Sequence, residues 1–230
     1  EGSETVWVRH IDSAGNSSSP TRFDFTYDTS APNQITSLVR NDGIGTDNDG
    51  SVQFKVVFAD TVAAGSVSAD DFDITFGGGA TMNGTASVTP SSGTGDTFYL
   101  TVPYTGEGTV SVNVASTATI EDLAGNTSVS FNGLVSPAAV NVDTVAPTVS
   151  ISTDDMYLNI GDSAILTFTF SEPVGGSFGD GDINLNGLGT LSGLAASGGD
   201  PATTTTWTAT LTAAVSTDTA NVISVATGAF

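Results

Sequence analysis

The chain has 230 residues, of which 25 are acidic and four basic, for a formal net charge of -21. A surface of that sign repels nucleic-acid phosphates and anionic lipid, and it attracts cations. The absence of cysteine excludes a disulfide framework and a cysteine-based zinc site, and no apolar run approaches the length of a membrane span.

The four basic residues are Arg9, Arg22, Arg40 and Lys55. From residue 61 onward there are sixteen Asp and Glu and no Lys or Arg, so that stretch forms no internal salt bridge. Its self-repulsion calls for neutralisation, and a divalent metal is the obvious candidate. The 35 threonines favour strands because Thr is β-branched. An apolar content of 38% and alternating strands argue against disorder.

In chain order, the first predicted element is "TVWVRH" (5–10), followed by "DSAGN" (12–16) and "RFDFTYD" (22–28). The face of Trp7 in its strand is open. Next comes "VQFKVVF", where Val52, Phe54, Val56 and Phe58 point one way and Gln53 and Lys55 the other. In "TFYLTVP", Phe98, Leu100 and Val102 share a face. "TVSVNV" (109–114), "DLAGN" (122–126) and "AAVNVD" (138–143) then repeat the order of the first three elements. In "AILTFTF", Ile165, Thr167 and Thr169 alternate with Leu166, Phe168 and Phe170. In "TWTATLT", Trp207, Ala209 and Leu211 form the core face and four threonines line the other. Trp207 takes the place of Phe98. Glycine-rich runs such as "TGEG" and "SGGDP" separate these strands as turns.

Internal repetition decides the organisation. Residues 1–28 read as the C-terminal strands of a preceding repeat, 33–143 as a complete repeat, and 148–230 as a repeat lacking its last strand. Roughly seven short strands per ~100 residues predict an all-β fold of tandem immunoglobulin-like antiparallel sandwiches.

The strings "DTVAPTVSIS", "LTFTFSEPVGG", "GTLSGL" and "WTATLT" in residues 143–212 resemble the bacterial Ig-like repeats of large repetitive surface adhesins, including biofilm-associated and RTX-type adhesins. "DGSVQFKVVF", "SADDFDIT", "GTVSVNV" and "DLAGN" resemble a sister variety. Where relatives tend to carry an acidic S-E-P/A-V, the middle copy has "ADTVAAG" (59–65), so the resemblance does not extend a role of Glu172 to both repeats. The resemblance implies an extracellular or cell-surface location and neighbouring repeats of the same chain as partners. It also implies Ca²⁺ at the linkers between repeats.

The two repeated phrases are D-x-A-G-N and D-T-x-A-P, the latter at 28–32 and 143–147. One reading of D-x-A-G-N is a tight turn, with the Asp accepting backbone N–H bonds and Gly125 left-handed. The other assigns it to a cation, because oxygen ligands from several segments suit Ca²⁺, which takes six to eight oxygens. That reading places Asp122, Asn126 and Asp143 at one junction site and Asp12, Asn16 and Asp28 at its twin. The pairs at 70–71 and 154–155 and "DGD" (180–182) read as turn carboxylates, and of these Asp154 and Asp155, early in the third repeat, are the ones placed to reach the junction as metal ligands. The loop "DGIGTDNDG" (42–50) alternates Asp47 and Asp49 but lacks the bidentate Glu of an EF-hand, and it reads as a solvated hairpin loop.

Catalysis finds little support. His10 is the lone histidine, and a carboxylate pair for glycoside hydrolysis needs a shaped cleft. The expected role is a structural stalk or extender in a secreted adhesin, with Ca²⁺ stiffening each junction. Two alternatives are a glycan- or host-protein-binding Ig-like module and a strand-exchanging extracellular filament subunit.

Overall fold

The computed structural model describes residues 2–91, 95–128, 130–131, 139–214 and 222–226. The chain divides into two compact units, Glu1–Val145 and Ala146–Phe230. The described residues are almost wholly β, as the predicted alternation requires.

The first unit begins with a hairpin of β1 (Gly2–Val8) and β2 (Thr21–Tyr27). Val6 lies opposite Phe23 and Trp7 opposite Arg22. Directly opposed residues share a face of an antiparallel pair. Val6, Val8, Phe23, Phe25 and Tyr27 therefore form one apolar face, while Trp7 stands with Arg22 and Asp24 on the polar one. That resolves the open face of Trp7, which is 62% exposed.

The middle sandwich follows. Its strands are β3 (Ile35–Arg40), β4 (Ser51–Phe58), β5 (Phe72–Gly78), β6 (Thr81–Met82), β7 (Ser87–Pro90), β8 (Thr97–Thr105), β9 (Glu107–Val114) and β10 (Val140–Asp143). One sheet runs β3-β4-β8, with β6 and β7 both pairing with β8, and the other runs β10-β9-β5. The period-two faces hold as predicted. Val52, Phe54, Val56 and Phe58 are buried from β4, and Phe98, Leu100, Val102 and Tyr104 from β8. Val110 and Val112 of β9 meet them from the facing sheet. Gly108 is required where β9 passes β5, because a Cβ there would stand 2.0 Å from the Gly77 carbonyl oxygen.

Register gives this sandwich two distinct ends. Ile35 pairs with Phe58, and Val57 with Thr97, so these residues share one end. Arg40, Ser51 and Tyr104 lie at the other. The short turn at Gly106 starts β9 at that second end and finishes it, at Val114, at the first. Antiparallel β10 then returns to the second end, where Asp143 pairs with Glu107.

In the second unit, β11 (Val149–Thr153), β12 (Ser163–Phe170), β14 (Gly189–Ala196) and β15 (Thr206–Ala213) form a sheet in the order β11-β12-β15-β14. A short β13 (Ile183–Asn184) pairs with β16 (Ser224–Val225). Leu166, Phe168 and Phe170 point inward and Ile165 outward. Trp207 is core, as expected, at 6% exposure. Phe178 packs edge-on against Phe168, Phe170 and Trp207 with centroids 5.3, 4.9 and 5.5 Å away. Much of the expected final segment, 220–230, lies outside the described residues.

Candidate junction site

The two D-x-A-G-N loops fold alike. In the first, Asp12 Oδ1 accepts the N–H groups of Ala14 and Asn16 at 2.9 and 2.8 Å, and Oδ2 accepts the Asn16 amide at 2.9 Å. In the second, Asp122 Oδ1 accepts Ala124 and Asn126 at 2.8 and 2.9 Å, and Oδ2 accepts the Asn126 amide at 2.8 Å. Gly15 and Gly125 turn the chain at φ 89° and 88°, which only glycine adopts without strain. Residues on either side close each loop as a bridge, Ile11 with Ser17 and Glu121 with Thr127. The asparagine amide, then the backbone donors, hold both aspartates below the usual carboxylate range. The turn reading therefore describes both loops down to their hydrogen bonds.

The D-T-x-A-P phrases are also alike. Asp28 Oδ1 caps the Ser30 N–H and Asp143 Oδ1 caps the Val145 N–H, each at 2.9 Å. These are local Asx turns.

The structure joins one member of each pair. Asn126 Nδ2 donates to the backbone carbonyl of Asp28 at 3.2 Å. The end of the hairpin β1–β2 is thus fastened to the D-L-A-G-N loop of the middle sandwich. Pro32 is buried a few residues later, before Ile35 starts β3. Val62, fully buried, bridges Asp122 from the other side, and Asp122 itself is 3% exposed.

This geometry corrects the expected ligand sets. Asp122 and Asn126 lie at the Phe58–Val114 end of the sandwich, whereas Asp143 lies at the opposite end beside Glu107. The reason is the antiparallel hairpin: β9 leads to D-L-A-G-N and β10 carries the chain back. The same holds for Asp12 and Asn16, which follow Val8, and Asp28, which follows Tyr27, because Val8 pairs with Thr21 and Gly2 with Tyr27. Residues that belong together are Asp28 of one phrase with Asp122 and Asn126 of the other.

Asp154 and Asp155 are also misplaced by the expectation. They follow β11 at its far end, five residues or roughly 16 Å from the 143–148 segment. There Asp154 Oδ1 accepts the Ile165 N–H and Asp155 Oδ1 the Tyr157 N–H.

Each of these carboxylates serves as an acceptor for a backbone N–H group. Three N–H donors lie on the Asp122 carboxylate and a fourth on the Asp28 carbonyl. A hard cation needs six to eight oxygens. Among the described residues, no group of three or more His, Cys, Asp or Glu is arranged to hold a metal ion.

A different acidic residue proves structural. Asp47 of the supposedly solvated 42–50 loop is 5% exposed. Tyr104 Oη donates to its Oδ1 at 2.6 Å, and Arg40 Nη2 reaches its Oδ2. Arg40 also holds Asp42 Oδ1 through Nε at 2.7 Å and the Gly45 carbonyl through Nη1 at 2.6 Å. Asp42, then Asp47, hold the guanidinium in its charged form, while burial, reinforced by Asp47, pushes the Tyr104 phenol well up. A charge-rich loop gives no sequence signal of this burial. The one available hint was the period of β8, which places Tyr104 on the same inward face as Phe98, Leu100 and Val102.

Asp71 and Asp182 act as turn carboxylates. Asp71 accepts the Ser68 N–H and the Thr119 N–H, and Asp182 accepts the Gly179 N–H.

The profile of the bacterial Ig-like domain family matches residues 143–230, starting on the second D-T-x-A-P phrase. No curated protein matches the sequence. Among solved structures, the chain is similar to FdeC, an adhesin of Escherichia coli, at 16% identity and a TM-score of 0.45. That similarity covers 85% of this chain and 60% of the other. No helix among the described residues is long and apolar enough to cross a membrane.

Proposed function

We propose, from the match of residues 143–230 to the bacterial Ig-like domain family, that the chain is a spacer segment in the stalk of a bacterial surface adhesin. The observation that carries this reading is the hydrogen bond from Asn126 to the Asp28 carbonyl. It fastens the last hairpin of one repeat to the start of the next. The phrases recur because each repeat supplies a D-T-x-A-P on leaving and a D-x-A-G-N on receiving its predecessor. A junction fixed by a buried turn and a proline resists bending, which is what a spacer needs.

The net charge of -21 suits an exposed, soluble rod that does not associate with its own kind. The exposed Trp7 stands beside Arg22 on the polar face of its hairpin. In this proposal the clasp itself orients the junction, and Ca²⁺ enters as an outcome of the test.

The absence of cysteine makes the test clean. Spin labels on introduced cysteines at Thr26 of the hairpin and Asp73 of the sandwich should report one narrow distance distribution. Asn126→Ala should broaden it while circular dichroism stays unchanged. A broad distribution in the unsubstituted chain would sink the spacer reading. Chelator should leave the narrow distribution as it is; broadening on chelation, reversed by millimolar Ca²⁺, would return the junction to the ion.

A further inference from the structure

We propose that the buried Arg40–Asp47–Tyr104 cluster is a mechanical latch, through which tension passes from the first strand of the middle sandwich to its last. β3 and β10 belong to different sheets but run toward the same end, where they finish at Arg40 and Asp143. Tension enters before Ile35, at one end of the sandwich, and leaves after Asp143, at the other. It therefore drags the first and last strands past each other along their length.

The loop after β3 crosses between the sheets and ties them. Asp47 forms a parallel bridge with Val142. Its N–H donates to the Asn141 carbonyl and its carbonyl accepts the Asp143 N–H, both at 2.8 Å. A pull along the strands stresses these two bonds together, whereas peeling would break them in turn. The bridge holds only while residue 47 stays in place, and its carboxylate fixes it there. Arg40, the last residue of β3, grips it from the incoming strand, and Tyr104 grips it from β8. The Tyr104 N–H, bound to the Gly50 carbonyl at 2.9 Å, secures the far side of the same loop. Because Asp47 and Tyr104 are shielded from water, their bond is not readily replaced by solvent, and the loop is released as a unit.

The value of such a latch rests on the spacer reading, but its existence does not. The test is to pull the full chain from its two ends at constant load. The event of the middle sandwich is recognised by the release of about 40 nm for residues 33–143. Unfolding rates are measured under load and, by denaturant extrapolation, without it. Tyr104→Phe should unfold about tenfold faster under load, the effect of losing a hydrogen bond to a charged group, and less than that without load. Val112→Ala, a core truncation on β9, should speed both rates by the same factor. Should Tyr104→Phe fail to fold, Asp47→Asn carries the same comparison. Equal factors for the latch variant with and without load would overturn the proposal. A broad hairpin distance distribution beside an intact latch response would remove the spacer reading alone.

Discussion

In the middle sandwich, the loop between the first two strands closes over Asp47, whose partners come from β3 and β8. In residues 146–230, the corresponding loop between β11 and β12 closes over Asp162, whose carboxylate accepts the N–H and side-chain amide of Asn159, three residues back, at 2.8 and 3.0 Å. Backbone pairing marks the equivalence. Tyr104 N–H binds the Gly50 carbonyl in one unit, and Ala213 N–H binds the Asp162 carbonyl in the other. An alanine thus stands where the buried tyrosine stands. The local solution stabilises only its own turn. The long-range one makes the turn a part of the core, so that loop and strands gain or lose order together.

The largest effect should come from the cores. Trp207→Ala removes the ring that Phe178 meets edge-on and should cost about 3–5 kcal/mol. Thr208→Ala, on the opposite face, should stay within about 0.5 kcal/mol. Calorimetry should show the first loss in the transition of residues 146–230 and leave that of the middle sandwich in place. Equal costs for the two substitutions would refute the assignment of faces in β15.

Next in size is the contrast between the loops. Arg40→Met leaves the Asp47 carboxylate buried without its cation and should cost the middle sandwich about 3 kcal/mol. Asn159→Ala, at the exposed counterpart, should barely move the second transition. A large loss in the second case would mean that the local turn matters as much as the buried cluster.

The smallest contrast is in alkali. The folded Tyr104 phenol titrates above its unfolded value, so its contribution is complete below about pH 10, where the unfolded group titrates. It is lost as the pH rises further, because the unfolded chain then releases a proton that the folded one retains. Above pH 10 the melting temperature of the middle sandwich should fall faster than that of residues 146–230, whose Tyr157 is 86% exposed. Tyr104→Phe should remove the difference.

The faces of β4, β8 and β15 were legible because alternation is a local property and each inward residue is apolar. The face of Trp7 in "TVWVRH" was not, since apolar residues occupy both sides of that segment and only the pairing with Arg22 separates them. The burial of Asp47 was not, since it depends on Tyr104, 57 residues away, and on an arginine that also serves Asp42. The recurrence of the two phrases was visible, but their placement was not. The strand between them, β2 in one pair and β10 in the other, sends them to opposite ends, and spacing in sequence carries no trace of that reversal. Asp154 and Asp155 accept backbone N–H groups as turn carboxylates do, but the junction lies out of their reach, because nearness to a linker in sequence becomes distance once a strand intervenes.

The placement of the phrases has a consequence in symmetry. The surface around Asp28 and the surface around Asp122 are different patches, so the contact between successive units of the proposed stalk is heterologous rather than two-fold. Such a contact closes into a ring only if its rotation divides a full turn, and otherwise runs on. Repeated with the same rotation and translation, it generates an open screw in which each unit touches only its neighbours, and stability grows as a sum of units and interfaces. In such an array the geometry of each step would depend on contacts of the kind Asn126 makes with the Asp28 carbonyl. A change at Asn126 too small to unfold anything would be multiplied along the length of the array.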